Sequence, residues 1–506
     1  MKSNSIYTGI ITGAILLALS ACNKQIDAIQ PLNYVNAQGE LSTFSGILEA
    51  TNGSYTNLLN TAGGNFDNYE EGMHTLSDTR GNNLVQDISL LSLKDRDAYN
   101  YTNSALGNDG FGDGVWKETY QLIVGINTVL EGINTFKANG NALSLTATQA
   151  GQLSHATGEN LFLRGLAYFN LVRLFGLPYY NNPGTNPGVM IKNDDNPSNI
   201  PGRSTVKDTY TQIIGDLQQA AVLMEGSASL PNTNANAAAA WALLSRVYLY
   251  MGGSYASPSS SYNQLAITYA DSVINAGPYT LLQGTDFQNM FAPDESGSLG
   301  RVNVNGNSEV IFAYNHVLGD SWVNSIYHYL NYYGTKTGGF NPSPSYLSLL
   351  TAGDLRNQFL QVNPVTSKTE TTKFDVKPSA WLDNAPYIYL RLAEVYLNRA
   401  EAEVKNGDNA DALSDLNAIH TRAGLAPLSG LTGQDLFNAI LLERRIELAF
   451  EGHNSFDDFR NGLPMIRPGS DTGGNPFIMQ PDDPKVVMRI PTDELITNPK
   501  LVQNNQ

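Results

Sequence analysis

The chain has 506 residues, of which 30 are Lys or Arg and 47 are Asp or Glu, for a net charge of −17 at pH 7. An acidic chain without a basic run offers no electrostatic footprint for nucleic acid and no polybasic patch for anionic lipid. Its single cysteine excludes an internal disulfide, so core packing has to hold the fold together.

That cysteine, Cys22, closes the first element of the chain. Lys2 is the only charge ahead of it, and Ile10 to Leu19 is apolar apart from Thr12 and Gly13. This is the make-up of a secretory signal, too short for a membrane span of ~20 apolar residues. Leu19-Ser20-Ala21-Cys22 resembles the bacterial lipobox, in which the cysteine thiol receives a diacylglyceryl group and becomes the new N-terminus. Residues 1–21 are therefore expected to be a lipoprotein signal peptide, with Cys22 the acylated anchor. Two or more acyl chains, at ~0.8 kcal/mol per buried methylene, make such anchoring stable.

Next comes a long stretch without helical rhythm, Asn65 to Gly114, rich in Gly, Asn, Asp and aromatics. WKETYQLIVGINTVLEGI then places Trp116, Tyr120, Ile123, Ile126, Leu130 and Ile133 at steps of three and four, the stripe of an amphipathic helix. ENLFLRGLAYFNLVRLFGLPYY puts Leu161, Tyr168, Leu171, Val172 and Phe175 on one side and stops at Gly176 and Pro178. A third helix opens at Ser204 and runs through Val206, Tyr210, Ile213, Ile214 and Leu217. NANAAAAWALLSRVYLYMGG and NQLAITYADSVINAGPYTLL complete a second pair.

A second irregular stretch follows, Leu282 to Ala385, with a short strand expected at Glu309 to Tyr314. The C-terminal region returns to helices: YIYLRLAEVYLNRAEAEVKNG, NADALSDLNAIHTRAG and GQDLFNAILLERRIELAFEG, with another short strand expected at Val486 to Ile490. Ala393 and Tyr396 are spaced as in a tetratricopeptide first helix. Gly407-Asp408-Asn409 makes the turn, and Ala410, Leu413 and Leu416 supply the second helix. The expected fold is mainly α: tetratricopeptide-like helical pairs forming a scaffold, with long irregular loops and a few short β-strands. No Pro- or Ser-rich linker divides the chain, so residues 22–240 and 241–506 are read as two sequence regions of one compact body.

Loops this long in a compact body tend to be functional. No His-Glu-x-x-His, Gly-x-Ser-x-Gly, Walker or EF-hand motif occurs in the chain. Glu443, Glu447 and Glu451, with His453 just beyond, would share a helix face and could hold a metal or supply acid and base. The reading preferred here is structural, with Arg444 and Arg445 as partners in a packed interface. Asp194-Asp195 and Asp457-Asp458 are expected to be solvated, and the histidines are too scattered for a metal site. Catalytic residues, metal and cofactor are all expected to be none.

Four blocks, in order behind the lipobox, resemble the SusD/RagB nutrient-uptake outer-membrane lipoproteins of Bacteroidota: FLRGLAYFNLVRLFGLPYY, LRLAEVYLNRAEAE, AILLERRIELAFEGHNSFDDFRNG and RIPTDELITNPKLVQN. The resemblance implies a lid over a SusC-like, TonB-dependent β-barrel transporter. It also implies capture of oligosaccharide, or alternatively peptide, at the outer face of the outer membrane through the lipid anchor. Residues 22–240 would be the N-terminal SusD-like region and 241–506 the C-terminal RagB/SusD region. A lipid-anchored glycoside hydrolase or an envelope scaffold are the rival classes.

The family has no ligand motif, so ligand-binding candidates come from aromatics that helical periodicity leaves unexplained. These are Phe66, Tyr69, Tyr99 and Tyr101 in the first irregular stretch, and Trp322, Tyr327 and Tyr333 in the second. Sugar rings stack on such faces, and Asp78, Arg80 and Asn82 are suited to bonding their hydroxyls.

Overall fold

The computed structural model describes residues 37–58, 72–73, 75–87, 89, 91, 93–102, 111–226, 231–275, 278–293, 304–314, 323–328, 339–375 and 385–504. Within them the long helices are α1 (Phe44–Leu58), α2 (Phe111–Ala138), α3 (Ala147–Phe175), α4 (Val206–Met224), α5 (Ala237–Met251), α6 (Ser260–Asn275), α7 (Leu392–Asn406), α8 (Asn409–Arg422) and α9 (Gly433–Glu447).

Local chemistry sets their ends. Thr146 and Gln149 form a capping box at the start of α3, and the side chains of Thr205 and Asn236 cap α4 and α5. Each satisfies a backbone N–H that the first turn cannot pair internally. Gly407, at φ 93°, ends α7 in the left-handed conformation and turns the chain straight into α8. The expected tetratricopeptide-like pair is therefore α7 and α8.

Successive helices pack side by side: α2 on α3, α3 on α4, α4 on α5 and α5 on α6. Helix α7 docks on α5 and α6, so the C-terminal helices continue the same array across the second irregular stretch. Small residues permit the close approaches. A Cβ on Gly158 would lie 2.5 Å from Met224 Cγ, and one on Gly165 would lie 2.9 Å from Leu217 Cγ. Ala239 and Ala240 at the start of α5 are fully buried. The largest apolar core runs through α2 to α7 and includes Trp116, Ile123, Ile126, Leu161, Tyr168, Phe175, Ile213 and Leu217. The expected mainly helical scaffold is the observed one.

The strands are short and join in pairs. Val310–Tyr314 pairs antiparallel with Tyr387–Arg391, and Leu84–Gln86 with Phe340–Pro342. Three expectations need correction. YIYLR is a fully buried strand and not the first turn of α7; five consecutive aromatic, β-branched or long side chains suit a buried strand as well as a helix. Val486 to Ile490 forms no paired strand. It follows a 3₁₀ turn at Pro484–Val486 and crosses the end of α3, where the Met488 N–H donates to the Leu174 carbonyl at 2.7 Å. The irregular stretches also contain helices, including Leu93–Asn100 and Val323–Tyr327.

Candidate functional site

The described part of the first irregular stretch folds onto the C-terminal block through its own polar atoms. The Gly452 N–H donates to Asp78 Oδ2 at 2.6 Å, and the Tyr327 hydroxyl to the same oxygen at 3.4 Å. Arg467 donates to the carbonyls of Gly81, Tyr99 and Thr79 at 2.7, 2.7 and 3.0 Å. Its guanidinium lies 3.6 Å from the centre of the Tyr99 ring. Arg80 lies over Tyr101 at 4.2 Å, and the Tyr101 hydroxyl donates to the Arg80 carbonyl at 2.6 Å. Asn454 Oδ1 accepts from the Asn82 N–H at 2.6 Å, so close to Gly81 that a Cβ there would overlap it.

The structure thus brings Asp78, Arg80, Asn82, Tyr99, Tyr101 and Tyr327 into one neighbourhood, but facing inward. Asp78, Arg80, Tyr99, Tyr101 and Tyr327 are all buried. Tyr327 is sandwiched, stacked on Phe374 at 5.3 Å and edge-on to Phe450 at 5.8 Å. Tyr101 packs between Phe459 and Phe477. Burial raises the pKa of Tyr99 and Tyr101 and lifts that of Tyr327 well above the usual phenol value. Rings enclosed in this way have no free face for a sugar, so these five side chains hold the loops on the scaffold. Asn82 is half-buried and donates from its side chain to the Ile466 carbonyl at 3.2 Å. Phe66, Tyr69, Trp322 and Tyr333 lie outside the described residues, as does Cys22.

The carboxylates of the α9 block are held by buried cations. Arg391 donates to Glu451 Oε2 at 2.6 Å, to Glu447 Oε1 at 2.7 Å and to Glu309 Oε1 at 3.1 Å. Arg422 bridges Glu309 and Glu447, Arg356 joins Glu443 to Asp354, and Lys373 bonds Glu451. His420 Nδ1 is 2.8 Å from Glu443 Oε2. Burial acts to raise the Glu447 carboxyl, but Arg422, Arg391 and Arg356 hold it far below the ordinary carboxylate range. A carboxylate ringed by guanidinium groups is a poor base and has no open position for a metal.

Arg444 and Arg445 do not partner these carboxylates but, as expected, tie neighbouring elements into the packed interface. Arg444 pairs with Asp457, and Arg445 bonds Asn83 and the Asn82 carbonyl. Nor is the helix continuous through the cluster. It ends at Glu447, and Glu451 comes back to the network after Phe450 turns the chain at φ 67°.

Of the two acidic pairs expected to be solvated, Asp194-Asp195 is partly exposed, whereas Asp457-Asp458 is drawn into the packed block. Asp457 is bonded by Arg444 and Arg460, while burial and then the neighbouring Asp457 raise Asp458 to about 7. Asp194 accepts from Lys192 Nζ at 3.0 Å. The cation partners of the α9 carboxylates have no local signal in the sequence, because Arg356 and Arg391 lie far from α9. Among the described residues, no group of three or more His, Cys, Asp or Glu side chains is placed to hold a metal ion.

Comparison with known proteins fits this geometry. Residues 309–506 match the family model described as SusD family. Residues 48–249 match the model described as starch-binding associating with outer membrane. SusD-like protein P2 of Formosa agariphila is 26% identical over 460 residues, covering 80% of this chain and 82% of that relative. A SusD superfamily protein from Bacteroides thetaiotaomicron superposes with a TM-score of 0.76 at 27% identity, covering 92% of this chain and 100% of the other. A Bacteroides vulgatus protein named as a candidate sugar binding protein gives a TM-score of 0.75 at 26% identity, covering 91% and 98%.

Proposed function

Because the chain belongs to the SusD family, we propose that it is a cell-surface lipoprotein that binds oligosaccharide and passes it to a SusC-like, TonB-dependent outer-membrane transporter. The observation that supports this most is the pair of family matches, in order along the chain, one of them described as starch-binding and associating with the outer membrane. The lipobox at Cys22 supplies the anchor in this reading. The ligand is bound without turnover: the one carboxylate cluster with the spacing of a catalytic site is saturated by arginine and lysine.

With five of the expected contact residues packed inside, ring stacking on the ligand passes to Phe66, Tyr69, Trp322 and Tyr333. Trp322, in the polar stretch GDSWVNS, is the leading candidate. A panel of neutral oligosaccharides titrated into the protein should identify a binder, and Trp322→Ala should weaken it by ~2 kcal/mol or more, about thirtyfold. The bound sugar should be recovered intact after long incubation. Binding of peptides but of no oligosaccharide would move the assignment to the peptide-binding alternative. New reducing ends in proportion to protein would mean a glycosidase.

A further inference from the structure

The stretch GDSWVNS runs into a short helix, Val323–Tyr327, that is held from behind. Val323, Ile326, Tyr327 and His328 are all buried. Tyr327 stacks on Phe374, and His328 stands between two carboxylates. Its Nδ1 is 3.6 Å from Glu370 Oε2, and its Nε2 is 3.2 Å from Asp375 Oδ1. Glu370 belongs to Thr369–Thr371, which pairs antiparallel with Leu360–Val362, and Asp375 ends the turn that follows. One imidazole thereby joins the helix to the hairpin.

The joint depends on protons. A neutral imidazole has one N–H, so it can donate to one carboxylate while its lone pair faces the other. Only the imidazolium donates to both. Neutral amides assist: Asn363 donates to Glu370 Oε1 at 2.9 Å, and Gln361 approaches both Asp375 oxygens at 3.4 Å. The surrounding charges are engaged elsewhere. Lys373 bonds Glu451, Lys368 pairs with Asp87 at the tip of the hairpin, and Asp78 accepts from the Gly452 N–H. The strand Phe340–Pro342, packed against the same helix, has no titratable side chain.

We infer that His328 is a positioning residue: as an imidazolium it clasps the helix beside Trp322 to the hairpin, and its loss of a proton at alkaline pH loosens that helix and weakens glycan binding. The effect on glycan rests on the reading above, in which the ligand stacks on Trp322. Proton linkage has the same sign at Asp375. Burial raises its carboxyl to about 6, although His328 pulls it down. Such a group contributes stability that is whole below the ordinary value near 3.8 and is lost as pH climbs through about 6. Closing the clasp therefore takes up protons, and the helix is held more firmly at pH 5.5 than at pH 8.5.

Hydrogen exchange read by mass spectrometry tests the clasp directly, with rates corrected for the intrinsic effect of pH. Between pH 5.5 and 8.5 the protection of residues 323–328 should fall about tenfold, the factor that one charge-assisted hydrogen bond supplies, while that of α5 stays constant. His328→Gln keeps a donor but no charge, so protection should be low at both pH values. Asp375→Asn lets a neutral ring donate to Glu370 and accept from the new amide, so protection should persist at pH 8.5.

Calorimetric titration with maltohexaose, cellohexaose, laminarihexaose and xylohexaose at the two pH values tests the link to ligand. Whichever binds should do so about fivefold or more weakly at pH 8.5, and Asp375→Asn should bind it equally at both. Protection of 323–328 that ignores pH, a response that survives His328→Gln, or a clasp that responds while glycan affinity does not would each overturn the inference. If His328→Gln does not fold, a pH response left unaltered by Asp375→Asn overturns it instead. Should none of the hexasaccharides bind at either pH, the glycan-binding reading falls, and hydrogen exchange still decides the clasp.

Discussion

Helices α3 and α4 meet across glycine, whereas α7 meets α8 and α9 through an apolar cluster that includes Ala400, Val404, Leu416 and Ile440 and is bordered by buried charge. In the first interface Gly158 and Gly165 let α4 side chains come to within 3 Å of where a Cβ would stand, alongside the bidentate pair Arg164–Asp216. Around the second, α7 presents Glu394 to Arg246 of α5, Glu401 to Arg460 and to Lys405 of its own helix, and Arg399 to Asp415 of α8, nearly all of it buried. Close helix packing thus rests on small residues in one place, and on apolar contact framed by buried ion pairs in the other. Close apolar contact tolerates little change in volume. A buried ionic lattice tolerates little change in charge, because each member is held by partners that cannot turn to water instead.

The largest effect should come from removing a cation from the lattice. Arg391 contacts Glu309, Glu447 and Glu451 at once, so Arg391→Met leaves three buried carboxylates short of a partner. A loss of about 3–5 kcal/mol in urea unfolding is expected. A loss under about 1 kcal/mol would mean that the lattice re-pairs around the gap and that the contrast between the two interfaces is false.

A smaller effect, with a sign that depends on pH, is expected between α7 and α8. There Arg399 is shared by Asp271 of α6, Asp415 of α8 and Glu403 of its own helix, with Asp411 nearby. Burial, and then Asp415, raise Glu403 to about 8, and its Oε2 is enclosed without a partner. A carboxyl raised on folding contributes stability that is whole below its unfolded value, near 4.5, and is lost as pH climbs through about 8. Glu403→Gln should therefore raise the melting temperature at pH 8 and leave it unchanged near pH 4.5. The opposite trend is expected of Glu394, whose carboxyl burial works to raise but Arg246 holds down at about 2. Its contribution is present above about 4.5 and disappears as pH falls through about 2. A Glu403→Gln shift that is the same at both pH values would show that folding leaves the Glu403 carboxyl at its unfolded value.

The two kinds of interface were not equally visible in the sequence. The apolar stripes of α2, α3 and α4 repeat every three or four residues, and the Gly407 turn is local, so periodicity sufficed for both. The ionic lattice joins residues such as Arg356 and Glu443, which no window of sequence places together. The inward packing of Tyr99, Tyr101 and Tyr327 has a related cause. A polar context leaves open which way the Tyr99 ring faces, and the guanidinium that closes over it comes from Arg467, at the other end of the chain. YIYLR is indistinguishable from helix in the sequence because its residues run without a break into the true period of α7. Helix α1 has no clear signal in the sequence: Asn52, Gly53 and Ser54 interrupt FSGILEATNGSYTNL with weak helix formers, and packing on α2 and α3 stabilises it.

The smallest expected effect tests the apolar interface with one substitution made at two places on one helix. Gly151 and Gly158 both lie within α3, so Gly→Ala brings each the same gain in helix propensity, about 0.5–1 kcal/mol. A Cβ at Gly151 meets nothing within 4 Å, and that gain should appear whole as added stability. At Gly158 the new methyl would stand 2.5 Å from Met224 Cγ and 3.1 Å from the Ala220 carbonyl oxygen. Met224 can shift, but the α4 backbone can move only by parting the two helices. Overpacking of this kind costs about 1–3 kcal/mol and should exceed the propensity gain. Measured by thermal unfolding, Gly151→Ala should stabilise and Gly158→Ala destabilise. If both stabilise, α3 and α4 have slack between them, and close contact does not distinguish this interface from the ionic one.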